Sequence, residues 1–409
     1  MEVRHGWRWV PTLYLAEGLP YALVNLLSIA VYKDFGVSNA DIAFYTSWLY
    51  LPWVIKPLWS PFVDVIRTKR FWVLAMQALV GVGTAAVAFS LKAPYFFRLS
   101  IAILWLVAFA SSTHDIAADG YYMLAQSDDD QAFFVGIRST FYKISQWLGN
   151  GALLIVVGHL QRSNAKVYSW MVALMILAGV FIGLALYHLF AMPDVEKRGK
   201  RKSFSEIFSG IASVFVSFFS KRGVWMTLLF ILTYRLGEAM IVKMKTPFLL
   251  DAAAEGGLGL SLEMCGLLDG TIGMVCMVVG GIAGGIALSR RGLDYWMWIM
   301  LACMALPNAV YIYMAFFQPA SQWAIGVCVG IEQLGYGFGF TAFSMYLMRF
   351  AKGEFATSHF ALCTGFMALG MMLPGMIAGV LQTVLGYPLF FVLVFVLGLV
   401  PFAVVKCMK

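Results

Sequence analysis

Apolar stretches of about 20 residues, separated by short polar breaks, recur along the whole chain. At about 1.5 Å per residue, a helix of that length crosses a hydrocarbon layer about 30 Å thick. The pattern predicts twelve such helices. The first six cover 9–31, 39–61, 71–91, 99–118, 133–159 and 167–190, and the second six cover 224–250, 264–288, 295–317, 322–348, 357–384 and 387–405. One long break, 192–222, separates the sets and carries the basic run Lys197, Arg198, Lys200, Arg201 and Lys202. Within it Phe204, Ile207, Phe208, Ile211, Val214, Phe215 and Phe218 recur at helical spacing, which predicts an amphipathic helix lying on the cytoplasmic leaflet. The chain therefore reads as an all-α membrane protein. A six-helix bundle is expected at 1–191, a linker at 192–222 and a second six-helix bundle at 223–409.

Composition excludes a water-soluble surface. Only 12% of residues are charged against 61% hydrophobic, with a mean hydropathy of +0.81, whereas soluble domains use about a quarter of their residues as charge. The net charge of +8 comes from Lys and Arg scattered through loops beside the apolar runs. That distribution argues for membrane orientation and against nucleic acid. The basic residues favour the segments on the N-terminal side of the membrane, which predicts that both termini are cytoplasmic. Cys265, Cys276, Cys303, Cys328, Cys363 and Cys407 form no C-x-x-C pair, so neither disulfide nor metal is expected. The first apolar run is too long for a signal core and lacks a small-residue cleavage site, so it is expected to be retained.

Ionisable groups inside spans are costly unless they meet water or a partner, so they carry the functional signal. They fall into two layers. Glu17, Lys143, Arg235, Glu238 and Glu332 lie near the midplane, from spans 1, 5, 7 and 10. Lys143, Arg235 and Glu17 are the candidate substrate-binding residues, and Glu332 and Glu238 the candidate proton-coupling ones. Arg235 and Glu238, three apart, also fit a self-neutralising pair on one helical face. The Gly18-Leu19-Pro20 step after Glu17 predicts a helix break with carbonyls turned to a cavity. Lys56, Asp64, Asp115, Asp119 and Arg138 cluster at the cytoplasmic ends of spans 2, 4 and 5, as a gate of inter-helix ion pairs or as a permanent staple. Lys243, Lys245 and Asp269 lie towards the opposite face, where they line an outer entrance or snorkel to the interface. Gly280, Gly281, Gly284 and Gly285 predict close helix packing.

Two six-helix halves joined by a basic linker match the layout of the major facilitator architecture. More specific are the ordered motifs. They run from Gly18-Leu19-Pro20 through Lys56-Pro57-Leu58-Trp59-Ser60-Pro61 with Asp64, Asp115-Ile116 with Asp119, and Tyr142-Lys143. The second half continues with Tyr234-Arg235-Leu236-Gly237-Glu238-Ala239, Glu332-Gln333-Leu334, and Phe355-Ala356-Thr357 with Phe360-Ala361-Leu362. In this order they resemble the AmpG-like muropeptide permeases of the major facilitator superfamily, to which acetyl-CoA transporters are similar. The resemblance implies a multi-pass protein of the bacterial inner membrane that imports N-acetylglucosaminyl-anhydro-N-acetylmuramyl peptides for cell-wall recycling. It also implies a proton gradient as energy source, with no cofactor, and a monomer surrounded by lipid. The amphiphilic, anionic sugar-peptide cargo leaves other bulky anions open: a CoA thioester, a nucleotide-sugar or a siderophore. An enzyme built on His114 and Asp115 is disfavoured, since no nucleophile motif and no Walker A loop accompany them, and His114 has no metal-spaced partner.

Overall fold

The computed structural model describes residues 6–196 and 204–407; the basic run 197–202 lies outside it, as do the side chains of Asp64, Val65, Asp128, Asp129, Ala132, Val135 and 204–208. Every element among the described residues is helical. Seven helices there are long and apolar enough to cross a membrane, from Val10–Asp34 to the 52-residue Ala356–Cys407. Their outward faces are greasy: Phe190 is 86% and Trp323 83% exposed. Such exposure is stable only where the solvent is itself hydrocarbon.

Local chemistry sets many of the starts. Ser38, Thr68, Ser127, Ser261 and Ser321 each accept a hydrogen bond from the backbone N–H three residues on, in the N-cap geometry that satisfies an otherwise free donor. Length then requires breaks. The continuous helix Ala356–Leu397 has 42 residues, about 63 Å at 1.5 Å each, which is about twice the hydrocarbon thickness. Gly386 interrupts it at φ 67°, and Gly292 interrupts Met274–Ala305 at φ 71°. Both are backbone conformations that only glycine adopts at low cost. The breaks fall at the gaps between predicted spans 8 and 9 and between 11 and 12.

Four further interruptions follow. π-helical turns occupy Leu23–Leu27, Leu148–Ala152 and Gly266–Gly273, the last containing Asp269. Predicted span 7 is divided at Arg235, which sits between Val224–Tyr234 and Leu236–Leu250 with φ −108° and ψ 21°. The Gly18-Leu19-Pro20 step, by contrast, does not end its helix: Pro20 lies inside Val10–Ala22.

The chain divides into two compact units, one of Met1–Ser28 with Ile55–Ile211, the other of Ile29–Val54 with Ala212–Lys409. In the first, Trp9, Tyr14, Tyr121, Tyr122 and Phe134 form an aromatic core. In the second, helices Met274–Ala305 and Gln322–Ala351 approach backbone to backbone. A Cβ on Gly280 would stand 2.1 Å from the Leu334 carbonyl oxygen and one on Gly337 2.0 Å from that of Met277. Gly285 faces open space, so the four-glycine run is not one packing face. The Phe204–Phe219 helix of the linker forms as predicted, but its last turn is not merely laid on a surface. Phe218 is buried in the second unit's core against Phe350, His359 and Phe366. Lys221 follows it and donates to the carbonyls of Phe350 and Lys352, placing a cation at the C-terminus of Gln322–Ala351.

Candidate functional site

In the first unit the structure brings together four of the five predicted gate residues. Asp115 and Asp119 project from Phe96–Ala125, four residues apart on one face. Lys56, on Leu51–Ile66, meets Asp115 at 3.7 Å, and Arg138, on Asp128–Trp147, meets Asp119 at 2.6 Å. The fifth, Asp64, has its side chain outside the described residues. Arg138 also stacks over the rings of Tyr14 and Tyr122, at 4.3 and 4.6 Å, and Tyr14 donates its hydroxyl to Asp119 at 3.0 Å. A guanidinium held between two π faces and a carboxylate keeps its charge while losing little contact with water.

Glu17, assigned to the midplane layer by counting residues, is in electrostatic range of Asp119, Asp115, Lys56 and Arg138. In this unit Glu17 therefore belongs with the gate cluster. One oxygen of Glu17, Oε2, is buried without a hydrogen-bond partner. The carbonyl of Gly18 does not open onto a cavity, because Gln146 Nε2 donates to it at 3.0 Å. Gly18 itself lets the two helices touch: a Cβ there would lie 1.9 Å from Ser145 Oγ. Lys143, on the same helix as Arg138, is half-buried.

The second unit holds a drier cluster. Lys245, on Leu236–Leu250, pairs with Asp269 at 2.6 Å, each side chain only 10% exposed. The Gly266–Gly273 π-turn carries Asp269. Glu332, 1% exposed on Gln322–Ala351, accepts through Oε2 from the Tyr311 hydroxyl at 2.9 Å and from Gln333 Nε2 at 3.0 Å. Its other oxygen, Oε1, is buried without a partner. Glu238 is 6% exposed and in electrostatic range of Glu332, Lys245, Arg235 and Asp269. Arg235 stands at the break between the two helices, as the N-cap residue of Leu236–Leu250. Arg235 donates to the Tyr336 hydroxyl at 2.7 Å and lies over the rings of Tyr336 and Phe340.

Lys243 and Lys245 were expected together at an entrance, yet the helix turns them to different partners. Lys243 is 1% exposed, donates to Thr46 at 3.0 Å and sits 5.0 Å from the Tyr50 ring centroid.

Two networks have no counterpart in the sequence reading. Lys33 meets Asp251 at 2.5 Å, Tyr387 donates to the same carboxylate at 2.6 Å, and Asn39 donates to Gln382 at 2.8 Å. Lys33 and Asp251 are polar residues just past the ends of predicted spans, where charge looks ordinary. In the first unit Gln77 bridges two buried histidines: Nε2 is 3.0 Å from His114 Nε2, and Oε1 is 2.9 Å from His188 Nδ1. His114 is thereby a member of a polar clamp, and no group of three or more His, Cys, Asp or Glu among the described residues has metal-binding geometry.

Residues 12–373 match the Major Facilitator Superfamily. The chain belongs to that superfamily. The anhydromuropeptide permease of Escherichia coli K12 is 26% identical over 372 residues, covering 90% of this chain and 72% of the permease. The putative transporter AmpG 4 of Rickettsia felis is 24% identical over 406 residues, covering 95% of this chain and 92% of its own. Among solved structures, the nucleoside transporter NupG superposes with a TM-score of 0.72 at 16% identity, covering 99% of this chain and all of the other. At that identity the likeness concerns the fold alone. The chain is therefore a multi-pass secondary transporter of the superfamily, rather than an enzyme, and is similar to AmpG-like permeases of the bacterial inner membrane.

Proposed function

We propose that this permease imports anhydro-muropeptides, N-acetylglucosaminyl-anhydro-N-acetylmuramyl peptides, into the bacterial cytoplasm by proton-coupled alternating access. Twelve crossings with both termini cytoplasmic belong to this reading, as does a monomeric carrier. The observation that carries the coupling is Glu332: a carboxyl group buried at 1% exposure, with Oε2 doubly hydrogen-bonded and Oε1 left without a partner. Ionised, Glu332 would bury a full charge whose hydrogen bonds come from two neutral donors, whereas protonated it buries a neutral acid, at a much smaller cost. Glu238 shares the cluster and is the second coupling candidate. Similarity to the anhydromuropeptide permease of Escherichia coli supports this cargo, and Lys143 and Arg235 supply cations for its carboxylates. Lys56, Asp115, Asp119 and Arg138 act as a latch at the cytoplasmic end.

The test is uptake of radiolabelled N-acetylglucosaminyl-anhydro-N-acetylmuramyl tripeptide into proteoliposomes under an imposed pH gradient. Wild type should accumulate the label. Glu332→Gln and Glu238→Gln should lose gradient-driven accumulation while retaining exchange of label across the membrane. Accumulation by both Gln variants would move coupling elsewhere. Displacement of the label by a CoA thioester, a nucleotide-sugar or a siderophore better than by unlabelled tripeptide would replace the cargo.

A further inference from the structure

The second unit's cluster has an imbalance that the proton-site reading leaves unused. Two buried carboxyl groups, Glu238 and Glu332, and a third that is 10% exposed, Asp269, stand in electrostatic range of one buried ammonium, Lys245. In this structure the ammonium is committed to Asp269 at 2.6 Å, while Glu332 is held only by the neutral donors Tyr311 and Gln333. Neutral donors suffice for Oε2 of an uncharged Glu332, but they do not balance the charge that appears when its proton leaves. Arg235, the other cation of this neighbourhood, is engaged by Tyr336. Lys245 is therefore the group with both the charge and the position to answer that change. It lies seven residues from Glu238 on one helical face, about 10.5 Å along the axis, and its flexible four-carbon stem allows a change of partner that a guanidinium fork resists. Asp269 sits in a π-helical turn, a local irregularity that recurs at functional positions within helices.

We propose that Lys245 is the switching counter-ion of the transport site: it pairs with Asp269 while Glu332 is protonated and moves onto the Glu332 carboxylate once that proton is released. This rests on the reading of Glu332 as a proton carrier. In proton terms, Glu332 Oε1–H loses H⁺ to water, no other covalent bond changes, and one ammonium is then shared between two carboxylates. The cluster has become more negative by one charge, which weakens retention of an anionic cargo, so that proton and cargo leave together. Lys245 acts through Glu332 and is a positioning residue.

The experiment is an infrared pH titration of purified protein in lipid nanodiscs, with no substrate present. The protonated-carboxyl band that disappears in Glu332→Gln belongs to Glu332. In Lys245→Gln/Asp269→Asn, which leaves the formal charge of the cluster unchanged, the midpoint of that band should rise by about one pH unit or more, a tenfold tighter hold on the proton. In the swapped pair Lys245→Asp/Asp269→Lys, thermal stability should return to that of wild type while the midpoint stays raised, because the ammonium now sits on the wrong helix. A static staple predicts that the swap restores both. A wild-type midpoint in the folded neutral variant overturns the role of Lys245, and if that variant does not fold, a wild-type midpoint in the swapped pair does so alone. Absence of any band lost in Glu332→Gln would overturn the proton-site reading itself, and the counter-ion with it.

Discussion

Arg138–Asp119 in the first unit and Lys245–Asp269 in the second are ion pairs of the same length, 2.6 Å, with different surroundings. The side chains of the first pair are 28% and 43% exposed, those of the second 10% each. Around Arg138 the structure places aromatic faces and a tyrosine hydroxyl; around Lys245 it places two more carboxyl groups in electrostatic range. Water reaches the first pair and offers each ion a substitute partner when it opens, so opening is cheap. Lys245 and Asp269 have little water to turn to, so their ions separate only by exchanging partners. On the proposed roles, equal distances thus correspond to different devices: a latch that opens, and a charge that changes hands.

The largest effect is expected from Asp269→Ala. It removes the ion-pair partner of Lys245 from a dry site and leaves only Glu332 or Glu238 to ionise in its place, at a cost of up to about 3–5 kcal/mol, seen as a large fall in the thermal unfolding midpoint in detergent. Lys245→Met/Asp269→Leu, which removes both charges, should recover most of that loss. If the single variant melts like wild type, the contrast in burial has no energetic meaning.

Next comes Asp251→Ala, which deprives Lys33 and Tyr387 of a shared acceptor. A loss of about 2–3 kcal/mol is expected, and a variant within error of wild type would show that network to be ornamental. Arg138→Gln should cost only about 1 kcal/mol, combining an accessible ion pair with its cation–π contacts. It should nevertheless slow transport and alter maleimide labelling of cysteines engineered at the cytoplasmic end. A stability loss as large as that of Asp269→Ala would make Arg138–Asp119 a staple. The smallest effect belongs to Lys56→Gln, where the pair is already 3.7 Å long. Its melting midpoint should shift by no more than about 0.5 kcal/mol permits, and a greater loss would mean that Lys56 supports more of the cluster than Asp115.

Much of this architecture is written in the local pattern. Apolar length marks the spans, Ser and Thr mark several helix starts, and Gly292 and Gly386 mark where an over-long helix must break. Helical spacing also put Asp115 and Asp119 on one face, opposite cations supplied by neighbouring helices. Counting along a helix fails where the helix is irregular. Arg235 sits at a break in its predicted span and donates to Tyr336, and Lys243 and Lys245, two residues apart, turn to Thr46 and to Asp269. The aromatic partners of Arg138 and the tyrosine donor of Glu332 are invisible to the pattern, since a tyrosine in an apolar run looks the same whether its hydroxyl meets a carboxylate or a lipid headgroup.

The sequence by itself determined that this protein lives in a bilayer and where its scarce charges enter the apolar spans, because transfer into hydrocarbon penalises each residue according to its own chemistry. Only the tertiary structure decided which charge answers which. Lys33 and Asp251 are 218 positions apart and look like ordinary loop residues, yet they meet at 2.5 Å. The one cation on the helix of Glu332, Arg349, pairs with Asp294, and the Tyr311 hydroxyl that meets Glu332 and the Lys245 ammonium in electrostatic range of it come from other helices. Coulomb and hydrogen-bond energies depend on separation in space, and in a bundle that separation is set by helix packing, down to a glycine such as Gly280 that lets two backbones touch.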